Sequence, residues 1–232
     1  MNALISLLAA LAASGFAVDL YRGARAKPRP HVTAYAAGMA CFALATWALF
    51  LGVTIGWSGP VYKVFFLFGA VINIPVLATG SLFLVIGRRT GRFALALLLP
   101  FSAWTALVIL PAALTSLPAE GVPRGSETFV VGAPPIMAAI GGGVGATVLI
   151  GLALVSVVRF WRKDRSIVFG NALIVAGTLS AASGGSMLAL TGEEWGFAAS
   201  LLAAATLIWV GYRVASGRRS IIVAPGAVEI PS

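Results

Sequence analysis

Side chains able to carry chemistry are few in this sequence, and most lie at the ends of apolar stretches. Asp19 is the carboxylate nearest the middle of such a stretch, and it precedes Arg22 by three residues. It is interpreted either as a proton acceptor at a water-filled vestibule or, more simply, as the ion-pair partner of Arg22 at an interface. No apolar stretch carries an ionisable residue at its centre, which argues against a proton pump and against a retinal Schiff base.

Asn73 and Pro75 interrupt the middle of the apolar stretch that spans residues 62–92. Pro75 lacks an N–H and displaces the carbonyl of Val71, four residues earlier, so a helical kink beside Asn73 is predicted. An unpaired carbonyl next to an Asn is what a broken-helix binding site needs. A packed kink, whose polar groups are satisfied by a neighbouring helix, fits the same residues and is the plainer interpretation.

Helical geometry places further small and polar residues beside these two groups. At 100° per residue, Gly69 and Asn73 share one helical face, and this face is expected to look inward because an Asn in hydrocarbon needs a partner. In a later apolar stretch, Asn171 and Thr178 form a partly polar stripe. The candidate ligand-binding residues are therefore Asn73, Pro75, Gly69, Asn171 and Thr178.

Glycines at regular spacing predict close packing of helices. Gly141 and Gly145 form a GxxxG face, and Gly170, Gly177 and Gly184 recur every seven residues on another helix. Residues 141–146 also fit G-x-G-x-x-A, but that dinucleotide motif needs a strand-to-helix turn, whereas these residues lie inside an apolar helix. Helix packing is the favoured interpretation of all five glycines, and the lining of a polar pathway is the alternative for the last three.

The composition is that of a chain whose surface faces lipid. Of the 232 residues, 59% are apolar and 10% are charged, and the mean hydropathy is +0.99, whereas a soluble domain carries about 25% charge. Seven apolar stretches predict seven transmembrane helices, because about 20 residues at about 1.5 Å each span about 30 Å of hydrocarbon. They cover residues 2–20, 32–56, 61–86, 93–115, 136–158, 167–190 and 195–214.

The predicted fold class is therefore all-α, with one seven-helix transmembrane domain over residues 1–215 and a short tail over residues 216–232. Residues 2–20 have positive charge after them and none before, so a retained helix is favoured over a cleaved signal peptide. Helices 1–3 and 5–7 run in the same direction, which suggests a 3+1+3 repeat with helix 4 as the inverting linker.

The basic residues alternate between successive loops. The net charge is +9. With seven membrane-spanning helices, two basic residues, Lys63 and Arg124, lie on one side of the membrane and the other 14 lie on the opposite side. These 14 are Arg22, Arg25, Lys27, Arg29, Arg88, Arg89, Arg92, Arg159, Arg162, Lys163, Arg165, Arg213, Arg218 and Arg219. The positive-inside rule then places the N-terminus outside and the C-terminus in the cytoplasm. The expected partners are the lipid bilayer and its anionic headgroups at the cytoplasmic face, and nucleic acid is not expected.

His31 is the only histidine and Cys41 the only cysteine. A bis-histidine haem, a histidine-based metal site within one chain and a disulfide are therefore excluded, and no metal or cofactor is expected. His31 follows Pro30 and is interpreted as a helix-entry residue rather than a pH sensor. A bilayer of about 30 Å separates it from Ser126 and Glu127, so these residues cannot form a hydrolase triad and an enzyme is not predicted.

Several short motifs resemble those of an uncharacterised family of small bacterial seven-helix membrane proteins. They are Arg29-Pro30-His31, Gly56-Trp57-Ser58, Gly69-Ala70 with Pro75 and Leu77-Ala78, Gly80-Ser81-Leu82, and Pro123-Arg124-Gly125-Ser126-Glu127. The resemblance implies an integral protein of a bacterial cytoplasmic membrane and supplies no activity. In topology alone, the chain also resembles the SWEET sugar transporters and rhodopsin-like proteins, without a signature motif of either family.

Two functional hypotheses follow. The first is a non-enzymatic protein for small-molecule permeation or ligand binding, with its site near Asn73, the Pro75 kink and the polar stripe of helix 6. The second is a non-catalytic scaffold or accessory subunit whose glycine-rich helices 5 and 6 pack against another membrane protein or a second copy. An intramembrane enzyme acting on lipid is least favoured, because the expected histidine and carboxylate sets are missing.

Overall fold

The computed structural model describes residues 2–115, 117–118, 121–160, 165–191 and 194–217, which form seven long helices. In chain order these are α1 (Asn2–Ala26), α2 (Pro30–Thr54), α3 (Gly59–Val85), α4 (Arg88–Ile109), α5 (Ala133–Phe160), α6 (Arg165–Thr191) and α7 (Glu194–Gly217). The described residues contain no β-strand, only an isolated bridge between Leu114 and Phe129. The prediction of an all-α fold is confirmed for this part of the chain.

The helices have the length and composition of membrane spans. Six of them, all but α6, are long and apolar enough to cross a membrane, and in α6 the apolar segment found is the shorter Val168–Ala181. Lipid offers no hydrogen-bond partners to the backbone, and a helix pairs its backbone N–H and C=O groups internally. The architecture is therefore compatible with a multi-pass membrane protein. The predicted turn at residues 161–164 and the tail beyond residue 217 lie outside the described residues.

Helix α4 ends at Ile109, whereas the sequence predicted an end near residue 115 with Pro111 inside the helix. Pro111 has no N–H to continue the ladder and restricts the residue before it, so the helix stops short of it. The Lys63 ammonium donates to the Leu110 carbonyl at 2.8 Å and so satisfies one of the carbonyls that the helix end leaves open. Pro100 lies inside α4, as predicted.

Helix α3 changes its geometry in the middle. Gly59–Phe65 and Asn73–Val85 are α-helical, and the intervening Phe66–Ile72 is π-helical, with wider turns. In an α-helix the N–H of residue 75 would pair with the Val71 carbonyl, and Pro75 cannot supply it. Where the sequence predicted a kink beside Asn73, the structure has this widened segment, and Asn73 is the first α-helical residue after it.

Six of the seven helices form a ring of neighbours in the order α1, α2, α3, α5, α6 and α7, and α7 closes the ring by packing on α1. Helix α4 stands outside this ring, where it packs mainly on α3 and lightly on α5. Its outer face is exposed along its length, at Phe93, Leu97, Trp104 and Leu107. The ring therefore builds the interior of the bundle, and α4 adds a peripheral layer.

Glycines bring the ring helices close together. A methyl group on Gly141 would lie 2.6 Å from the Val71 carbonyl oxygen, and one on Gly145 would lie 2.8 Å from the Pro75 nitrogen. Between α6 and α7, a methyl group on Gly177 would meet the Ala204 carbonyl oxygen at 3.0 Å. Gly184 faces Ser200 in the same interface, and the Gly170 carbonyl oxygen faces Gly211. The predicted packing glycines whose contacts are described thus face helices of their own chain.

A candidate ligand-binding cavity in the helix bundle

A cavity of about 200 Å³ lies inside the bundle between α2, α3, α6 and α7, with Leu149 of α5 completing the wall. Most of its lining is aliphatic or aromatic. The polar side chains among its described lining residues are Thr46, Asn73 and Thr178, and none of those lining residues is charged.

Asn73 is the polar group that this wall leaves unsatisfied. Its side chain is 4% exposed, and its Oδ1 has no hydrogen-bond partner among the described residues. A buried amide oxygen without a partner costs about 1–3 kcal/mol. The π-helical segment ends directly before this residue, so Asn73 lies at the point where α3 returns to α-helical geometry.

The hydroxyl groups of the two threonines in the wall already donate hydrogen bonds to backbone carbonyls. The Thr46 hydroxyl lies 3.0 Å from both the Phe42 and the Ala43 carbonyl oxygens, one turn earlier in its own helix. The Thr178 hydroxyl donates to the Ile174 carbonyl oxygen at 2.8 Å. Both hydroxyls can therefore accept a hydrogen bond but have no free proton for Asn73.

Aromatic rings line the cavity near the starts of α3 and α7. Phe65 of α3 and Phe197 of α7 both line it and meet edge-to-face, with ring centroids 6.1 Å apart. The Trp57 ring packs on Phe65 at 5.4 Å, and the Trp57 indole N–H donates to the Gly121 carbonyl of the connection between α4 and α5. We call Trp57, Phe65 and Phe197 the aromatic cap.

A second buried atom, the Tyr62 hydroxyl, has no partner within strict hydrogen-bond geometry among the described residues, although the Thr128 side chain lies near enough to interact with it. It belongs to a separate cluster in which the Tyr62 ring packs against Phe66 and Phe129. Tyr62 does not line the cavity, so Asn73 is its one unsatisfied described side chain.

The cavity brings together three of the five residues singled out in the sequence. Gly69, Asn73 and Thr178 line it. Pro75 is absent from its lining and packs instead against Gly145 of α5. The side chain of Asn171 lies outside the described residues. Sequence reasoning did not single out the apolar walls from Phe42, Phe65, Phe197 and Leu201, because nothing distinguishes a cavity-lining apolar side chain from a packed one before the helix neighbours are known.

Asp19 has a different partner from the predicted one. Its carboxylate pairs with Arg213 of α7 at 3.2 Å and accepts a hydrogen bond from the Trp209 indole N–H at 3.2 Å, rather than pairing with Arg22. The closure of the ring between α1 and α7 places Arg213 there, and local spacing along α1 cannot show this. Asp19 and Arg22 instead border a surface groove between these two helices.

The described residues contain no group of three or more His, Cys, Asp or Glu side chains placed to hold a metal ion. Comparisons with protein-family models, with curated proteins and with solved structures give no match. The cavity and the residues that surround it are therefore the features of the molecule from which a function can be inferred.

Proposed function

We propose that the chain is a non-enzymatic membrane protein that binds a small molecule in the cavity beside Asn73. The observation that carries this proposal is the Asn73 Oδ1, a buried acceptor without a partner, on the wall of a cavity large enough for a ligand. A purely structural Asn in a helix bundle is expected to hydrogen-bond to a neighbouring helix. A ligand that donates a hydrogen bond to Asn73 Oδ1 would offset the free-energy cost of leaving this buried oxygen without a partner.

The proposed setting is a bacterial cytoplasmic membrane, with the N-terminus outside and the C-terminus in the cytoplasm. Support comes from the alternation of basic loops. Lys63 and Arg124, the two basic residues on the proposed outer side, have local roles. Lys63 donates to the Leu110 carbonyl at the end of α4, and Arg124 pairs with Glu127 at 3.3 Å. The basic loops would in addition attract anionic lipid headgroups.

The proposed 3+1+3 repeat agrees with the order of helices in the ring. If the triplets α1–α3 and α5–α7 are related by a two-fold axis, each triplet occupies three consecutive positions of the ring. The contact between α3 and α5 is then equivalent to the contact between α7 and α1. The neighbour order has this form, and α4, the linker of the proposed repeat, stands outside it. The cavity then lies between helices of both triplets, where transporters built from repeats place their sites.

Permeation is the stronger form of the proposal, since it also requires the cavity to open to both membrane faces. The scaffold hypothesis has less support. The glycine faces of α5 and α6 that it would use contact α3 and α7 of the same chain, so a partner would have to use another surface.

Chemical access to the cavity tests the proposal. Because Cys41 is the only cysteine, a Cys41→Ala background allows one thiol to be placed at a time. Thr178→Cys puts the thiol in the cavity wall, and Thr105→Cys puts it at an equally buried site in α4 that does not line the cavity. Both threonines donate to a carbonyl of their own helix, which makes the pair well matched.

We expect methyl methanethiosulfonate, a small neutral reagent, to modify Thr178→Cys faster than Thr105→Cys in vesicles, as followed by intact-protein mass spectrometry. Local unfolding of the peripheral α4 would expose Thr105→Cys at least as readily as Thr178→Cys, whereas an accessible cavity exposes Thr178→Cys first. Equal and slow modification of both thiols would show a sealed interior and would refute ligand binding at this site.

A further inference from the structure

The walls of the cavity define the chemical class of its ligand. Resting on the proposed function, we propose that the ligand is a small, uncharged, mainly apolar molecule that carries a single hydroxyl group, an alcohol or a phenol. Its hydroxyl donates to Asn73 Oδ1, and its hydrocarbon part fills the space between the aromatic cap and the aliphatic wall.

The volume of the cavity limits the size of the ligand. An engineered cavity of about 150 Å³ in a soluble protein holds one benzene molecule. The cavity of about 200 Å³ found here therefore accommodates one aromatic ring or short aliphatic chain with a few substituent atoms. A disaccharide or a lipid with its acyl chains is too large for it.

Charge gives the second limit. The described lining contains no charged side chain, so an ionised ligand would lose its hydration without gaining a counter-ion. That loss is far larger than one hydrogen bond to Asn73 returns. A neutral ligand has no such cost.

The number of polar groups gives the third limit. Asn73 offers one free acceptor, while Thr46 and Thr178 have already donated their protons to backbone carbonyls. A polyhydroxylated molecule such as a sugar would bury several hydroxyls without partners, and each of them would weaken binding. One hydroxyl is matched by Asn73, and since a hydroxyl both donates and accepts, it suits either orientation of the side-chain amide.

The apolar part of the ligand would meet aromatic rings. Phe42, Phe65 and Phe197 contribute rings to the wall, and aromatic pairs in offset or edge-to-face contact are stabilised beyond what their buried area alone provides. This favours phenols among the molecules of the class.

Two fluorinated probes of almost equal shape test the proposal, 4-fluorophenol with the hydroxyl and 4-fluorotoluene without it. Binding to the full chain in lipid nanodiscs is measured by ligand-observed fluorine NMR, and empty nanodiscs provide the correction for partition into lipid. The variants are Asn73→Leu, which removes the acceptor but keeps the same branched side-chain skeleton, Ala181→Phe, which places a ring in the cavity, and Thr105→Val, which removes a buried hydroxyl outside the cavity.

We expect the native chain and Thr105→Val to bind 4-fluorophenol about tenfold more tightly than 4-fluorotoluene, the ratio that one well-made buried hydrogen bond supports. Asn73→Leu should abolish this preference, and Ala181→Phe should abolish binding of both probes. Equal binding of the two probes, unchanged by Asn73→Leu and lost in Ala181→Phe, would overturn the ligand class while the cavity remained a binding site. Binding of neither probe to the native chain, together with failure of the thiol reagent to reach residue 178, would overturn the proposed function as well.

Discussion

At the scale of single residues, the Asn73 side chain stands apart because the bundle buries it and leaves its oxygen without a partner. Among the described residues the Tyr62 hydroxyl is the other buried side-chain atom without a hydrogen bond, and it lies outside the cavity, whereas two further polar groups are satisfied across helices. The Tyr35 hydroxyl lies 2.9 Å from Ser81 Oγ, and the Trp47 indole N–H donates to Ser14 Oγ at 3.0 Å. An unsatisfied group that persists in such surroundings is a cost in stability that a ligand can offset.

Replacing Asn73 should therefore stabilise the ligand-free protein. We expect Asn73→Leu to raise the free energy of unfolding in a detergent titration by about 1–3 kcal/mol, since it removes a desolvated amide without breaking a hydrogen bond. Tyr35→Phe breaks the contact with Ser81 and should lower it by about 0.5–1.5 kcal/mol. If Asn73→Leu proved as destabilising as Tyr35→Phe, Asn73 would be a structural group with a partner.

At the scale of elements, the contact between α3 and α5 decides the shape of the site. The widened segment of α3 leaves the Val71 carbonyl and the Pro75 nitrogen facing α5, and only glycine at positions 141 and 145 allows that helix to approach. The glycines and the proline are thus two halves of one contact. The contact positions the part of α3 that carries Asn73 against α5, although neither glycine lines the cavity.

Adding one methyl group to this contact should be enough to disturb it. Gly141→Ala places a Cβ 2.6 Å from the Val71 oxygen, which is backbone and cannot rotate away, so we expect a loss of about 1–3 kcal/mol in the same unfolding titration.

Gly143 is the matched control in the same helix, because a methyl group added there meets nothing within 4 Å. Gly143→Ala should be neutral or should stabilise the chain by up to about 1 kcal/mol through helix propensity. Equal effects of the two substitutions would contradict the close approach of α5 to α3.

At the scale of the whole molecule, the ring of six helices and the peripheral α4 define where a ligand can enter. Helices of both halves of the chain surround the cavity, and the aromatic cap lies near the start of α3. Helix α1 does not line the cavity but closes the ring, with its Asp19 joined to Arg213 and Trp209 of α7. A ligand entering near the aromatic cap would pass Phe65 and Phe197.

The orientation of the molecule can be tested with thiols at its two ends, again in the Cys41→Ala background. Thr90 at the start of α4 and Ala113 just after its end are both exposed. If the basic loops face the cytoplasm, a membrane-impermeant maleimide added to intact cells should label Ala113→Cys and spare Thr90→Cys until the cells are opened. The reverse pattern would invert the proposed topology.

Much of this protein follows from local features of its sequence. Hydropathy predicted the helices, because an apolar run of about 20 residues favours a helix in lipid whatever its neighbours are. Glycine spacing predicted close packing at residues 141 and 145, and Asn73 with Pro75 predicted a break in α3. The end of α4 was predicted too late, because the apolar run continues past Pro111 while the hydrogen-bond ladder does not.

Only the tertiary structure decided which helices are neighbours, and with them the partners of the polar groups. Asp19 pairs with Arg213 rather than Arg22, Gly145 meets Pro75, and Phe65 meets Phe197 over a cavity that no local pattern reveals. The physical reason is that hydropathy depends on the side chain alone, whereas a hydrogen bond, a close approach and an empty volume each depend on two or more segments. Asn73 could thus be recognised as unusual from the sequence, but its lack of a partner became visible only in the folded bundle.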